Sequence, residues 1–248
     1  MVAIVGHRGA RDLWPENSLD GFRRTRALGI EAVEFDVHPT RDGELVVIHD
    51  PLLDRTVEDS GPVVDRSAAE LAALRLRNGS GEGVPSLDAV LDVFEGSGIE
   101  LHVEIKTDAL GYAYKGLEQR LLEALARRQN LGPTILTCFA PEVIEKVRAL
   151  APQQTVLASL DRRSAEMMGG LTPALDRFAR IEGCLVAVEK GLLSVAFELC
   201  RDRIGSERLG VWVPNEPAEI ARWLQAPIRT LTTDRPDLAL AERRKLST

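Results

Sequence analysis

The stretch EAVEFDVHPTRDGELVVIHD, residues 31–50, holds the pattern that decides the fold. A run rich in β-branched and aromatic residues reaches Asp42-Gly43, a dipeptide typical of tight hairpins, and a second run, LVVI, follows at 45–48. A parallel crossover needs roughly a dozen residues or more, so the second run must return antiparallel. The expected pairs across the hairpin are Arg41 with Glu44, Val37 with Ile48, and Asp36 with His49.

Short apolar runs of the same kind recur along the whole chain. With the first strand of the hairpin they number eight, at 3–6, 32–37, 101–106, 134–139, 155–160, 184–189, 209–214 and 229–234. Helix-like segments separate most of them. Those at 18–29 and 86–96 begin at a serine and end at a glycine, as capped helices do. Further helix candidates lie at 117–132, 141–152 and 217–227.

Eight strands that alternate with helices predict parallel βα units. Over 248 residues this count favours an α/β fold of the closed (β/α)8 TIM barrel type over an open doubly wound sheet. Residues 51–85 break the rhythm because they are polar and rich in glycine, serine and aspartate, with one short helix expected at 67–74. We therefore predict a single barrel domain over residues 1–248, with a small insertion after the second strand at about 51–85.

The charge and composition exclude several classes of partner. The net charge of −7 argues against nucleic acid and against stable association with anionic membranes, since both select basic surfaces. No apolar run approaches the roughly 20 residues that span a bilayer, and the first residues do not resemble a signal peptide. The three sparse cysteines suit a reducing compartment, so we expect a cytoplasmic protein. The sequence does not indicate an oligomeric state.

Carboxylates gather where the barrel strands are expected to end. Glu34 and Asp36 lie two residues apart on one strand, and Glu104 follows on the next barrel strand. The carboxyl ends of barrel strands meet at one rim, where active sites form. Three acids at one rim repel one another unless a cation neutralises them, and such hard oxygen ligands suit Mg²⁺ or Ca²⁺.

Two histidines and two cations accompany these acids. His7 follows the first strand and His49 returns with the hairpin, and such a pair can divide proton acceptance and proton donation between its members. Arg8 and Lys106 suit an anionic ligand such as a phosphate, unless they only balance the acids.

The other two histidines are read as structural. We expect His38 to face away from Asp36. His102 should share the face of Glu104, deeper in the barrel.

Ordered motifs along nearly the whole chain resemble the glycerophosphodiester phosphodiesterase family. They are GHRGA at 6–10, PENS at 15–18, EFDVHPTRDGELVVIHD at 34–50, DRT at 54–56, VPSLDAVLD at 84–92, HVEIK at 102–106, the W-x-x-N of 212–215 and TTDRPD at 232–237. The resemblance implies a TIM barrel with a small insertion. It also implies metal-dependent hydrolysis of a small-molecule glycerophosphodiester to glycerol 3-phosphate and an alcohol.

The same resemblance implies residue roles. The metal ligands are Glu34, Asp36 and Glu104, and the acid–base pair is His7 and His49. The substrate-binding residues are Arg8, Lys106 and Trp212. Cys138 replaces a serine of the family pattern, and Val213-Pro214 alters its W-T-V-N motif. These two departures leave open the shape of the pocket around the alcohol.

Several alternatives stay open at this point. We favour His7 as the base and His49 as the acid, and the nucleophile is either water or the 2-hydroxyl of the substrate. The same residues are compatible with lysophospholipase D-like cleavage of one-chain lipids. A non-catalytic phosphodiester-binding barrel is the remaining alternative, since a fold does not imply a function.

Overall fold

A computed structural model describes residues 1–79 and 81–246 of the chain, so positions 80, 247 and 248 of the predicted domain lie outside the described residues. Its strands are β1 (Ala3–Gly6), β2 (Ala32–Pro39), β3 (Leu45–Val47), β4 (Glu100–Ile105), β5 (Thr134–Cys138), β6 (Thr155–Leu160), β7 (Leu185–Glu189), β8 (Leu209–Trp212) and β9 (Thr230–Thr233). All of them except β3 pair in parallel, and β1 pairs with both β2 and β9, which closes the ring. The predicted (β/α)8 TIM barrel is confirmed.

Helices surround the barrel, apart from α2 (Ala68–Ala73), which lies in the segment 51–85. The helices of the chain are α1 (Leu19–Ala27), α2 (Ala68–Ala73), α3 (Leu87–Phe94), α4 (Leu117–Ala126), α5 (Pro141–Leu150), α6 (Arg162–Met167), α7 (Leu171–Ala179), α8 (Lys190–Ile204), α9 (Pro217–Leu224) and α10 (Pro236–Leu246). Within the described residues, none is both long enough and apolar enough to cross a membrane.

The main apolar core lies between the outer face of the barrel and these helices. On α1, Phe22 packs edge to face against Phe35 of β2 and Phe94 of α3, with 5.7 Å between ring centroids in each pair. Inside the barrel the apolar set is much smaller and consists of Ile135, Leu157, Leu185 and Ala187, with Trp212 packed against it. The remaining interior of the barrel is therefore free to carry polar side chains.

The hairpin after β2 has a register one residue away from the predicted one. The observed partners are Val37 with Val47, His38 with Val46, and Pro39 with Leu45. The cause is the turn, which three residues form instead of two: the Thr40 amide donates to the Glu44 carbonyl, and Gly43 takes a positive φ of 86°. Glycine tolerates this conformation, as three-residue hairpin loops require.

The segment 51–85 and the second strand of the hairpin form a separate apolar cluster, which we call the segment cluster. Its buried members are Val46, Ile48, Leu53, Val57, Val63, Leu71, Leu76 and Val84. Helix α2 lies within this segment, and Ser67 and Glu70 form a capping box at its N-terminus. The segment cluster thus packs against β3, the strand that leads into His49.

Candidate active site

The three predicted acids meet at the carboxyl end of the barrel. In the parallel ladder of β2 and β4, Asp36 lies opposite Glu104 and Glu34 lies opposite His102. One carboxylate oxygen from each of Glu34, Asp36 and Glu104 lies within 4.8 Å of the others. Strand alternation and the register of β2 against β4 together account for this cluster.

The acid cluster has the properties of a site for a hard cation. Among the described residues, Glu34 Oε1 and Asp36 Oδ1 are buried and have no hydrogen-bond partner. Burial and the neighbouring Asp36 and Glu104 raise the pKa of Glu34 well above its usual range. Burial acts in the same direction on Asp36, but Lys106 and Arg8 hold the pKa of this carboxyl below its usual range. Clustered, partly unpaired carboxylate oxygens fit Mg²⁺ or Ca²⁺.

His7, Arg8 and Gly9 form a tight turn directly after β1. Arg8 has φ 49° and ψ 37°, a left-handed conformation that is uncommon for a residue with a side chain, and its amide donates to Glu34 Oε2 at 3.1 Å. Gly9 also has a positive φ, and a Cβ atom there would lie 2.9 Å from the Phe22 ring. The turn therefore carries His7 and Arg8 to the edge of the acid cluster.

His7 is held at one nitrogen and faces the acids with the other. Its Nδ1 lies 2.5 Å from Asp234 Oδ1, and its Nε2 lies 3.8 Å from Glu34 Oε2. Burial acts to raise the pKa of Asp234, but His7, Asn215 and Arg11 lower that pKa to about 2. An ionised carboxylate can only accept, so His7 Nδ1 carries the proton that is shared with Asp234.

His49 has a matching arrangement with Asp50. Its Nδ1 lies 2.6 Å from Asp50 Oδ1, and its imidazole lines the same cavity as that of His7. The net effect of Arg55 and His49 is to lower the pKa of Asp50, although burial opposes them. Burial lowers the pKa of His49, and the cations Lys106 and Arg8 add to this effect against the opposing charge of Asp36.

Arg8 and Lys106 both lie against the acids. Lys106 Nζ donates to Glu104 Oε1 at 2.7 Å and lies 3.4 Å from Asp36 Oδ1. Arg8 Nε lies 3.5 Å from Asp36 Oδ2, and its Nη1 donates to Glu16 Oε1 at 3.2 Å. Both cations remain charged, because these acids raise their pKa values against the effect of burial.

His38 is where the sequence reading was wrong. His38 lies two residues from Asp36 on β2, so the two side chains share one face of the strand. The sequence-based expectation, by contrast, is that His38 faces away from Asp36. Its Nε2 donates to the His49 carbonyl at 3.1 Å, and its Nδ1 accepts from the Tyr114 hydroxyl at 3.2 Å. His38 thus anchors the backbone of His49. His102 lies on the face of Glu104, as expected, and bonds Glu100 at 2.8 Å.

A cavity of about 250 Å³ opens at this end of the barrel. Its polar side contains His7, Arg8, Glu34, His49 and Glu104. Its apolar side contains Trp212 and Phe139, whose rings pack edge to face with centroids 5.4 Å apart. Trp212 is fixed by a hydrogen bond from Nε1 to the Ala187 carbonyl at 3.1 Å. The cavity thus offers charged groups to one part of a ligand and aromatic rings to another.

Sequence reasoning missed the residues that hold the predicted ones. They are Glu16, Asn17, Asp50, Arg55 and Asp234. Asn17 donates from Nδ2 to Asp36 Oδ2 at 2.8 Å. All five lie within the motifs quoted above, namely PENS, the end of EFDVHPTRDGELVVIHD, DRT and TTDRPD. The spacing of these motifs does not show which side chains touch.

Comparisons with known proteins agree with this geometry. The model of the glycerophosphoryl diester phosphodiesterase family matches residues 7–238. A glycerophosphodiester phosphodiesterase of Bacillus altitudinis is 27% identical over 99% of this chain and 100% of the relative.

Solved structures give the same result. A crystal structure of a putative glycerophosphoryl diester phosphodiesterase from Agrobacterium tumefaciens has a TM-score of 0.87, at 27% identity, over 100% of this chain and 99% of that one. A phosphodiesterase of Oleispira antarctica, solved in complex with the product sn-glycerol-3-phosphate, has a TM-score of 0.80 at 20% identity, over 98% of this chain and 96% of that one. At 20% identity, the similarity to the Oleispira antarctica structure supports only the fold.

Proposed function

The chain belongs to the glycerophosphoryl diester phosphodiesterase family, and from this premise we propose that it hydrolyses glycerophosphodiesters to glycerol 3-phosphate and an alcohol, with a divalent cation at Glu34, Asp36 and Glu104. The observation that carries the proposal is the pair of histidine–aspartate contacts that flank the acid cluster around one cavity. A protein that only bound phosphodiesters would need no such pair.

The cations of the chain position the substrate in this proposal. Arg8 and Lys106 offer donors to the oxygens of the phosphodiester, and charge on those oxygens increases during displacement. When bound, Mg²⁺ or Ca²⁺ supplies Lewis-acid stabilisation of that charge. Trp212 and Phe139 line the apolar side, where they exclude water from the reacting group.

We assign the base to His7 and the acid to His49. His7 Nδ1 donates to the ionised Asp234, which leaves the lone pair of Nε2, 3.8 Å from Glu34 Oε2, to accept the proton of the nucleophile. The pKa of His49 is lowered, so its protonated form donates readily to the departing alkoxide. Each such transfer contributes about 10²–10⁴-fold to the rate. The nucleophile is either water or the 2-hydroxyl of the substrate, and a cyclic phosphate product identifies the second route.

We propose one barrel domain with 51–85 as its insertion, and no stable contact with membranes or nucleic acid. The three cysteines are unpaired and buried, which suits the predicted cytoplasmic location.

The test measures release of glycerol 3-phosphate from glycerophosphocholine and glycerophosphoethanolamine. Wild type and His49→Ala are compared in EDTA, Mg²⁺ and Ca²⁺, and the thermal midpoint is recorded in each condition. We expect a cation to restore release in the wild type only and to raise the midpoint of both proteins, since ligands stabilise the state that binds them. The exposed Glu142 provides a control substitution, Glu142→Gln, that should change neither readout.

Two outcomes contradict the proposal. Release that is insensitive to EDTA removes the metal from the reaction. If the folded protein binds a cation but releases nothing from either diester, lysolipid cleavage is tested next, followed by the binding function.

A further inference from the structure

A single arginine of the segment 51–85 binds two different carboxylates at the rim of the site. Arg55 Nε donates to Asp50 Oδ2 at 2.5 Å. Its Nη1 and Nη2 donate to Glu16 Oε2 and Oε1 at 2.7 and 2.8 Å. All three nitrogens of the guanidinium therefore have a carboxylate partner.

Each of these carboxylates in turn holds a residue of the proposed reaction. Asp50 uses its other oxygen to accept from His49 Nδ1 at 2.6 Å. Glu16 Oε1 also accepts from Arg8 Nη1 at 3.2 Å. A continuous series of charged contacts thus runs from the proposed acid, His49, through Arg55 to the proposed phosphate-binding Arg8.

The fork of the guanidinium is the property that matters in this series. The Arg55 side chain is 46% exposed, and an ion pair at such a position contributes little through its charge alone. A planar fork, however, fixes the direction of each of its partners, and a lysine ammonium cannot hold two carboxylates in this way.

We propose that Arg55 is a positioning residue, which orients the imidazole of His49 through Asp50 and the guanidinium of Arg8 through Glu16. This inference rests on the proposed phosphodiesterase function. Nothing in the geometry requires Arg55 to touch the substrate, because its three nitrogens are already used by Asp50 and Glu16.

The first consequence concerns the departing alcohol. With Arg55 in place, Asp50 accepts from Nδ1 of His49, so protonated His49 gives the alkoxide its proton from Nε2 and is left neutral, with its remaining proton on Nδ1. Without Arg55, Asp50 is free to turn away and His49 loses its orientation. We therefore expect Arg55→Ala to lower kcat about 10–100-fold for glycerophosphocholine, a fraction of the full acid contribution. A p-nitrophenyl ester of glycerol 3-phosphate needs no acid for its leaving group, so its kcat should fall less than threefold.

The second consequence concerns phosphate binding and the conservative variant. Loss of the Glu16 contact should raise KM several-fold for both substrates, because Arg8 serves both. Arg55→Lys keeps the charge but not the fork, so it should behave like Arg55→Ala. If Arg55 only supplied an ion pair to the fold, lysine would restore wild-type kinetics.

Arg66 provides a matched control in the same segment. Its Nη2 donates to Asp59 at 3.2 Å, and its side chain is 38% exposed. Neither Arg66 nor Asp59 lines the cavity. Arg66→Ala and Arg66→Lys should keep wild-type kinetics with both substrates. Urea unfolding of every variant shows whether a kinetic change comes only from lost folded protein.

The experiment combines these kinetics with ¹⁵N-histidine NMR, which reports the ring nitrogen that carries the proton in neutral His49. Supporting results are a loss of kcat confined to the choline ester in both Arg55 variants, with a mixture of His49 tautomers. Equal losses with both leaving groups, rescue by lysine, or an unchanged His49 tautomer would overturn the proposal. If wild type cleaves neither ester, the proposed function fails, and the NMR comparison alone then decides whether Arg55 orients His49.

Discussion

At the residue scale, a spacing of two along a strand gives most of the candidate site. It puts Glu34 beside Asp36 and Glu104 beside Lys106, and the structure brings all four side chains together. The same rule puts His38 on the face of the strand that carries Asp36, so the expectation that His38 faces away was wrong. Its side chain instead supports the backbone of His49.

The burial of His38 leads to a prediction about pH and stability. His38 is fully buried, and burial lowers its pKa to about 4 from 6.5. The folded state favours the neutral ring, so buried His38 contributes to the free energy of unfolding. This contribution is complete above pH 6.5 and is lost as pH falls towards 4. A shift of this size corresponds to about 3 kcal/mol.

The measurement is the free energy of unfolding by urea at pH 7.5, 5.5 and 4.5, for wild type and His38→Gln. Glutamine can donate to the His49 carbonyl but does not titrate. We expect the wild type to lose about 2.5 kcal/mol more than the variant across this range. Equal losses in the two proteins would mean that His38 does not resist protonation in the folded state.

At the scale of elements, the strands were predictable and several helices were not. All eight barrel strands lie within two residues of the predicted runs at their starts and ends, because buried parallel strands appear as unbroken apolar stretches. The helices α6, α7, α8 and α10 were not identified. Gly169-Gly170 separates α6 from α7, Pro173 lies in the first turn of α7, and packing on the barrel decides such helices more than propensity does.

The N-terminus of α1 links an element to the site and gives the second prediction. Ser18 Oγ accepts from the Gly21 amide at 3.0 Å and donates to the Pro15 carbonyl at 2.7 Å. We expect Ser18→Ala to cost about 1–2 kcal/mol of unfolding free energy. We also expect a lower kcat/KM, because Glu16 and Asn17 lie in the turn that this serine closes.

Ser86 is the matched control, since it caps α3 by accepting from the Ala89 amide at 3.2 Å. Ser86→Ala should cost about 1 kcal/mol in urea unfolding but leave kcat/KM unchanged. If both variants keep full activity, the turn at 15–18 does not depend on the cap.

At the scale of the whole molecule, the site joins the two ends of the chain. His7 and Asp234 are 227 positions apart, and the register of β1 with β9 pairs Gly6 with Thr233. Each of the two residues directly follows one member of that pair. The contact could be predicted only once the barrel was closed in the correct register, whereas Arg55 lies in a segment without any barrel register and could not be placed at all.

Two of the apolar clusters, the segment cluster and the main core, divide the molecule in a way that affects activity. Arg55 lies between Leu53 and Val57, which are fully buried members of the segment cluster. The main core between the barrel and its helices holds Leu175 on α7, which is equally buried. A loss of packing in the segment cluster should therefore move Arg55, whereas the same loss at Leu175 should leave Arg55 in place.

The last prediction compares Leu71→Ala on α2 with Leu175→Ala on α7. Both leucines are fully buried, so each variant should lose about 2–5 kcal/mol of unfolding free energy. In buffer without urea, where circular dichroism shows both variants folded, only Leu71→Ala should lose kcat, because its cavity loosens the segment that carries Arg55. Equal kcat values of the two folded variants would contradict the link between this segment and the site. Any loss of kcat would then follow from the lost stability that both variants share.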